Sequence, residues 1–220
     1  MSEQGIVCVF AKPPRAGQVK TRLAAHVGDE TARLLARAFF DDTWARLDGL
    51  SWARRVLAST DDEPAAFGLG TVELWLQGEG DLGDRMERVM RRALGQAPWV
   101  IALGADNPAM PLHCLERARA AFENHQAVLG PAADGGYYLL GLSRLPENLL
   151  RGLPWSSPAT LAATRARLEA NGLKVALIEP GFDIDELEDL RRLKDLLRVA
   201  PALAPKTFAA LASIDLDGGR

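Results

Sequence analysis

The chain alternates short, nearly continuous apolar runs with longer stretches in which apolar residues recur every three or four positions. The runs are GIVCVFA (5–11), RRVLAST (54–60), VELWLQ (72–77), WVIALGA (99–105), AVLGPA (127–132) and KVALIE (174–179). Strands that lack a polar face belong in a sheet covered on both sides, so the pattern predicts a mostly parallel sheet between two helical layers. From Asp29 onward, Leu34, Leu35, Ala38 and Phe39 mark one helical stripe. For a second helix, Ser157 is read as N-cap, Pro158 as first turn and Gly172 as terminator. In DELEDLRRLKDLL, Leu187, Leu190, Leu193 and Leu197 are spaced by three, three and four, which predicts an amphipathic helix packed on the sheet. The last twenty residues read as a short helix with a loose tail.

One segment breaks the parallel pattern. GPAADGGYYLLGL joins two apolar runs through Asp134, Gly135 and Gly136, and a D-G pair between such runs is a hairpin signal. The expected fold is therefore a single three-layer α/β/α domain over residues 1–220, with a mostly parallel sheet and a small antiparallel hairpin portion.

Composition narrows the function classes. The 220 residues are 48% hydrophobic and 25% charged, with net charge −3, which fits a soluble protein and argues against broad nucleic-acid binding. No run of about 18 apolar residues occurs, nor a charged start followed by an apolar stretch. A membrane span and export are not expected. Cys8 and Cys114 form no C-x-x-C pair, so a reducing cytoplasm is the simplest setting. No G-x-S-x-G elbow is present, which disfavours a hydrolase with a covalent intermediate.

In sheets of this kind, ligands bind beyond the carboxyl ends of the strands. After the first run comes FAKPPRAGQVKTRL, where Lys12, Arg15, Lys20 and Arg22 gather around Gly17. Four cations and free amides could surround a pyrophosphate or triphosphate, although no P-loop pattern is present. The alternative is a solvated basic turn, with Lys20 and Arg22 opposing the dipole of the helix they begin.

After the fourth run, GADNPAMP presents Asp106, which could bind Mg²⁺ on phosphates or cap a turn before Pro108. In GFDIDELEDL, Asp185 and Glu188 resemble a capping box, which leaves Asp183 as a partner for Asp106 on one metal. Asp134, Gly135, Gly136 and Tyr137 form either a ligand-approach loop or a plain hairpin. QGEGDLGDRM, with Gly80, Gly83 and Arg85, offers either room for a flat base or an ordinary entry into a helix.

Taken in order, these segments resemble the nucleotide-diphospho-sugar transferase superfamily, the GT-A type fold. More closely, they resemble the bacterial family labelled DUF2064, which is related to phospholactate guanylyltransferases. The resemblance runs from about Ile6 to Leu197 and includes PWSSPATLAATRARL. It implies that Lys12, Arg15, Gly17, Lys20 and Arg22 hold nucleotide phosphates, and that Gly80, Gly83 and Arg85 lie near the base. It further implies that Asp106 and Asp183 bind Mg²⁺ or Mn²⁺, while Asp134, Gly135, Gly136, Tyr137 and Trp155 face a small-molecule acceptor. Lys20, Arg22 and Asp106 would then be the catalytic groups.

The implied activity is transfer from a nucleoside triphosphate or nucleotide sugar by direct displacement. In nucleotidyl transfer the acceptor attacks the α-phosphorus and pyrophosphate leaves. In glycosyl transfer a nucleoside diphosphate leaves the anomeric carbon. The residues do not separate these two, nor do they exclude an idle nucleotide sensor of the same fold or a homodimer.

Overall fold

Seven strands build one sheet in the computed structural model, which describes residues 4–214 and 216. In chain order they are β1 (Gly5–Ala11), β2 (Ala53–Ser59), β3 (Leu74–Leu76), β4 (Val100–Gly104), β5 (Ala127–Pro131), β6 (Tyr137–Leu142) and β7 (Val175–Leu177). The helices are α1 (Thr21–Val27), α2 (Asp29–Arg46), α3 (Leu82–Leu94), α4 (Leu112–Ala121), α5 (Thr160–Ala170), α6 (Leu187–Val199) and α7 (Pro205–Leu211). The spatial strand order is β3-β2-β1-β4-β6-β5-β7. Strands β1–β4 pair in parallel, as do β5 and β7, whereas β6 runs antiparallel to both β4 and β5.

The continuous apolar runs are explained by this arrangement. On β1, Val7, Cys8 and Val9 are all fully buried, and they alternate between two hydrophobic clusters on opposite faces of the sheet. One face is covered by α3 and α5 over Cys8, Ala102 and Leu140; the other is covered by α2 and α4 over Val7, Ile101 and Leu139. The hairpin expected at 132–136 is present, but its second strand is also inserted against β4. Reversing β6 brings its first residues, Tyr137 and Tyr138, to the edge where β1 and β4 end.

Two expectations change. The stripe Leu190, Leu193 and Leu197 is fully buried, but not on the sheet: it packs with Leu23 of α1, Leu35 and Phe39 of α2 and Leu211 of α7 in a third cluster that contains no strand residue. Periodicity identifies an apolar face without naming the surface that covers it. The helix expected to be capped by Ser157 starts two residues later, with Ala159 as N-cap and Thr160 as its first residue. Ser157 instead accepts from the Ala159 amide at 3.2 Å, and the single Thr160 Oγ1 proton is shared between the Pro154 and Ser157 carbonyls, 2.6 and 2.7 Å away. These local bonds satisfy groups that would otherwise enter the helix. Gly172 ends α5 in the left-handed region (φ 71°), as expected of a terminator. The expected tail falls mostly on residues 215 and 217–220, outside the described residues.

The third cluster fixes α1 and the segment before α6, which carry candidate site residues. Leu193→Ala should therefore destabilise the protein by about 2–5 kcal/mol, measured as a shift of the urea unfolding midpoint.

Candidate functional site

At the carboxyl edge of β1 and β4 lies a cavity of about 930 Å³. That is near the upper end of small-ligand sites, large enough for a nucleotide with a small acceptor. Its lining includes Lys12, Lys20, Arg22, Arg85, Asp106, Asp134, Gly136, Tyr137, Trp155, Asp183 and Asp185. Segments scattered from residue 12 to residue 185 are thus brought to one mouth by the parallel strand ends and by the reversed β6.

The centre of the site is Lys20. Its backbone is left-handed (φ 48°, ψ 44°) at the start of α1, a conformation that costs a non-glycine residue energy and persists only where surroundings enforce it. The side chain is only 7% exposed, and Nζ lies 2.6 Å from Asp106 Oδ1 and 3.0 Å from Asp185 Oδ1. Burial by itself would lower the pKa of this ammonium. The two carboxylates outweigh burial, so the Lys20 pKa is raised and its charge is secure.

The backbone holds these partners in place. The Ile184 amide donates to the Asp106 carbonyl at 2.9 Å, and the Gly181 amide donates to the Pro131 carbonyl at 2.8 Å. Arg46, at the end of α2, donates to the Pro108 carbonyl at 2.6 Å and also to the Met110 and Leu203 carbonyls, so the loop after β4 is tied to a helix.

Asp185 is the cavity residue that the capping argument missed. The N-cap of α6 is Glu186, whose amide donates to the Asp189 carboxylate at 2.9 Å; the Asp185–Glu188 pairing does not form. A signal was present in Asp-Ile-Asp. In extended backbone, residues two apart share a side, and Ile184 between them is fully buried, so Asp183 and Asp185 both turn away from the core.

Asp183 is the perturbed member of the group. Burial first, then the neighbouring Asp106 charge, push its carboxyl up from 3.8 to about 7, against the opposing pull of Lys20. Three carboxylates thus face one ammonium. Hard oxygen donors carrying surplus negative charge suit Mg²⁺ or Mn²⁺, so the chemistry of these carboxylates fits the expected metal, which Asp106 and Asp183 would hold.

Other expected residues lie elsewhere. Arg15 is outside the cavity lining, with Nη2 at 2.8 Å from Asp61 and 3.1 Å from Glu63. Gly17, Gly80, Gly83 and Gly135 also do not line it. Two of these glycines have packing reasons: a Cβ on Gly83 would sit 2.2 Å from the Leu150 carbonyl oxygen, and one on Gly135 (φ 87°) would sit 2.3 Å from the Pro158 oxygen. Asp134 accepts from the Gly136 amide at 2.9 Å, which shapes its own turn at the cavity rim. Tyr137 and Trp155 meet edge-on at 6.2 Å between ring centres.

Asp183 also predicts a pH dependence. Its folded pKa is above its unfolded value, so the stability it contributes is present below about pH 4 and lost as pH rises toward about 7. In metal-free buffer Asp183→Asn should melt several degrees above the wild-type protein at pH 8, and the gain should vanish at pH 4. Parallel melting curves at the two pH values test this.

Known proteins show the same architecture. A protein of Desulfovibrio desulfuricans G20, provisionally named a nucleotide-diphospho-sugar transferase, shares 30% identity over 96% of this chain and 95% of its own, with a TM-score of 0.89. The 4-diphosphocytidyl-2C-methyl-D-erythritol synthase of Anaerococcus prevotii DSM 20548 is 12% identical over 89% of this chain and 97% of its own (TM-score 0.59). A CMP-2-keto-3-deoxy-manno-octonic acid synthetase complexed with CTP is 14% identical over 89% and 99% (TM-score 0.54). These last two share the fold alone. No curated protein matches the chain. Residues 44–157, more than half the chain, match the family described as uncharacterized protein conserved in bacteria, DUF2064, and the chain belongs to that family.

Proposed function

We propose that this protein is a divalent-metal-dependent transferase that takes an activated nucleotide, a nucleoside triphosphate or a nucleotide sugar, and transfers its nucleotidyl or glycosyl part to a small acceptor. One observation carries the reading: a buried lysine held between Asp106 and Asp185, with Asp183 beside them, at the mouth of a cavity on the strand edge where this fold gathers ligands. The family relative with a nucleotide-diphospho-sugar transferase name supports it.

Each residue then has a task. Lys12 and Arg22 line the cavity and supply positive charge for phosphate oxygens. Lys20 holds Asp106 and Asp185 in place and contributes positive charge close to where phosphate charge develops. Asp106 and Asp183 would hold Mg²⁺ or Mn²⁺, and when bound such an ion supplies neutralisation of phosphate charge. Tyr137 and Trp155 exclude water from one wall and leave room for an acceptor aligned with the bond to be broken. Among the described residues no helix is long and apolar enough to cross a membrane.

The test is a melting panel of nucleoside triphosphates and nucleotide sugars with and without Mg²⁺. A ligand at about a hundredfold its Kd adds roughly 2.7 kcal/mol to the folded state. Metal-dependent stabilisation by triphosphates is expected for nucleotidyl transfer, and by one nucleotide sugar for glycosyl transfer. Asp106→Asn should abolish the metal-dependent part; an unchanged response would remove the assignment, and binding without turnover of any acceptor would indicate a nucleotide sensor.

A further inference from the structure

Arg85 stands apart from the other cations of the site. It rises from the first turns of α3, in the layer that covers the opposite sheet face from α2. It lines the cavity, forms no ion pair among the described residues, and its Nε is buried without a hydrogen-bond partner. Its neighbours use their charges differently: Asp84 pairs with Arg151 at 3.1 Å, and Arg88 donates to the carbonyls of Gln77 and Glu79. A buried guanidinium N–H left unsatisfied costs free energy unless a ligand completes it.

Apolar and aromatic side chains line the same cavity as Arg85. Leu82 is 44% exposed although it lines the cavity, and Met86, Tyr137 and Trp155 line it as well. Phosphate-directed Lys12, Lys20 and Arg22 belong to the segment after β1, so the cavity carries a second cationic point set in a hydrocarbon and aromatic surround. A planar guanidinium in such a setting suits a carboxylate or phosphate bidentately.

From this arrangement we infer that Arg85 is the anchor of an acceptor subsite, binding the carboxylate or phosphate of a small molecule whose apolar part lies against Leu82, Met86, Tyr137 and Trp155. The inference rests on the transferase reading for the word acceptor, but the subsite itself does not depend on it.

Titration calorimetry on the full chain with phenylacetate, phenyl phosphate and neutral phenylacetamide tests it, each with Mg²⁺ and with and without a saturating nucleotide. At least one anionic probe should bind at least tenfold more tightly than phenylacetamide, and the two anions distinguish a carboxylate acceptor from a phosphate one. Arg85→Gln should erase that preference while nucleotide affinity stays within twofold, and Arg85→Lys, which keeps the charge, should retain part of it and shows that the fold survives substitution. Equal affinity for charged and neutral probes, an unaltered preference in Arg85→Gln, or a loss of nucleotide affinity in that variant would each overturn the inference. If no nucleotide binds the wild-type protein while the anion preference still depends on Arg85, the transferase reading fails and the subsite stands.

Discussion

Everything at the cavity mouth is arranged around one buried ammonium. Lys20 alone neutralises Asp106 and Asp185, which come from the loops after β4 and β7, so one side chain joins three segments distant in sequence. Such a group is costly to bury, and although both aspartates are half exposed, removing them would leave the Lys20 charge uncompensated. The protein accepts that cost together with a left-handed backbone at Lys20. Both become intelligible if the cluster has a task beyond stability, since strain and surplus charge concentrate where ligands are bound.

The surrounding fold supplies rigidity to that cluster. Strand β1 is paired on both sides and buried on both faces, so the residues that follow it leave a fixed platform. Helix α1 is pinned from outside by the third hydrophobic cluster, which also clamps the segment before α6 through Ile184. The reversed β6 closes the remaining side and delivers Tyr137 to the cavity. The two halves of the mouth differ in character: one side is dominated by cations and carboxylates, the other by aromatic and aliphatic groups with a lone guanidinium.

The tryptophans fall into this picture as packing. Trp44 stacks on Phe40 under Arg55, Trp52 leans on Trp99, and Trp75 is buried beneath Arg92. Each covers a sheet face or edge that a smaller residue would leave open to water.

Much of the architecture was legible in the chain itself. Doubly buried strands show as unbroken apolar runs because no face needs polar residues, and α2 begins at Asp29 with Leu35, Ala38 and Phe39 of the expected stripe buried, although Leu34 is 49% exposed. Lys20, Asp106 and Asp183 were also visible, each standing just beyond an apolar run. What the chain could not state is which charges meet. Arg15 and Lys20 are alike in sequence, yet one is neutralised on the surface by Asp61 and Glu63 and the other is buried between two aspartates. Asp185 looked like a helix cap until the backbone moved the cap to Glu186. Periodicity and local spacing are properties of neighbours along the chain, and they fix strands, helices and turns. Pairing of charges, the partner of the Leu193 stripe and the isolation of Arg85 depend on contacts between distant segments, which only the folded structure decides.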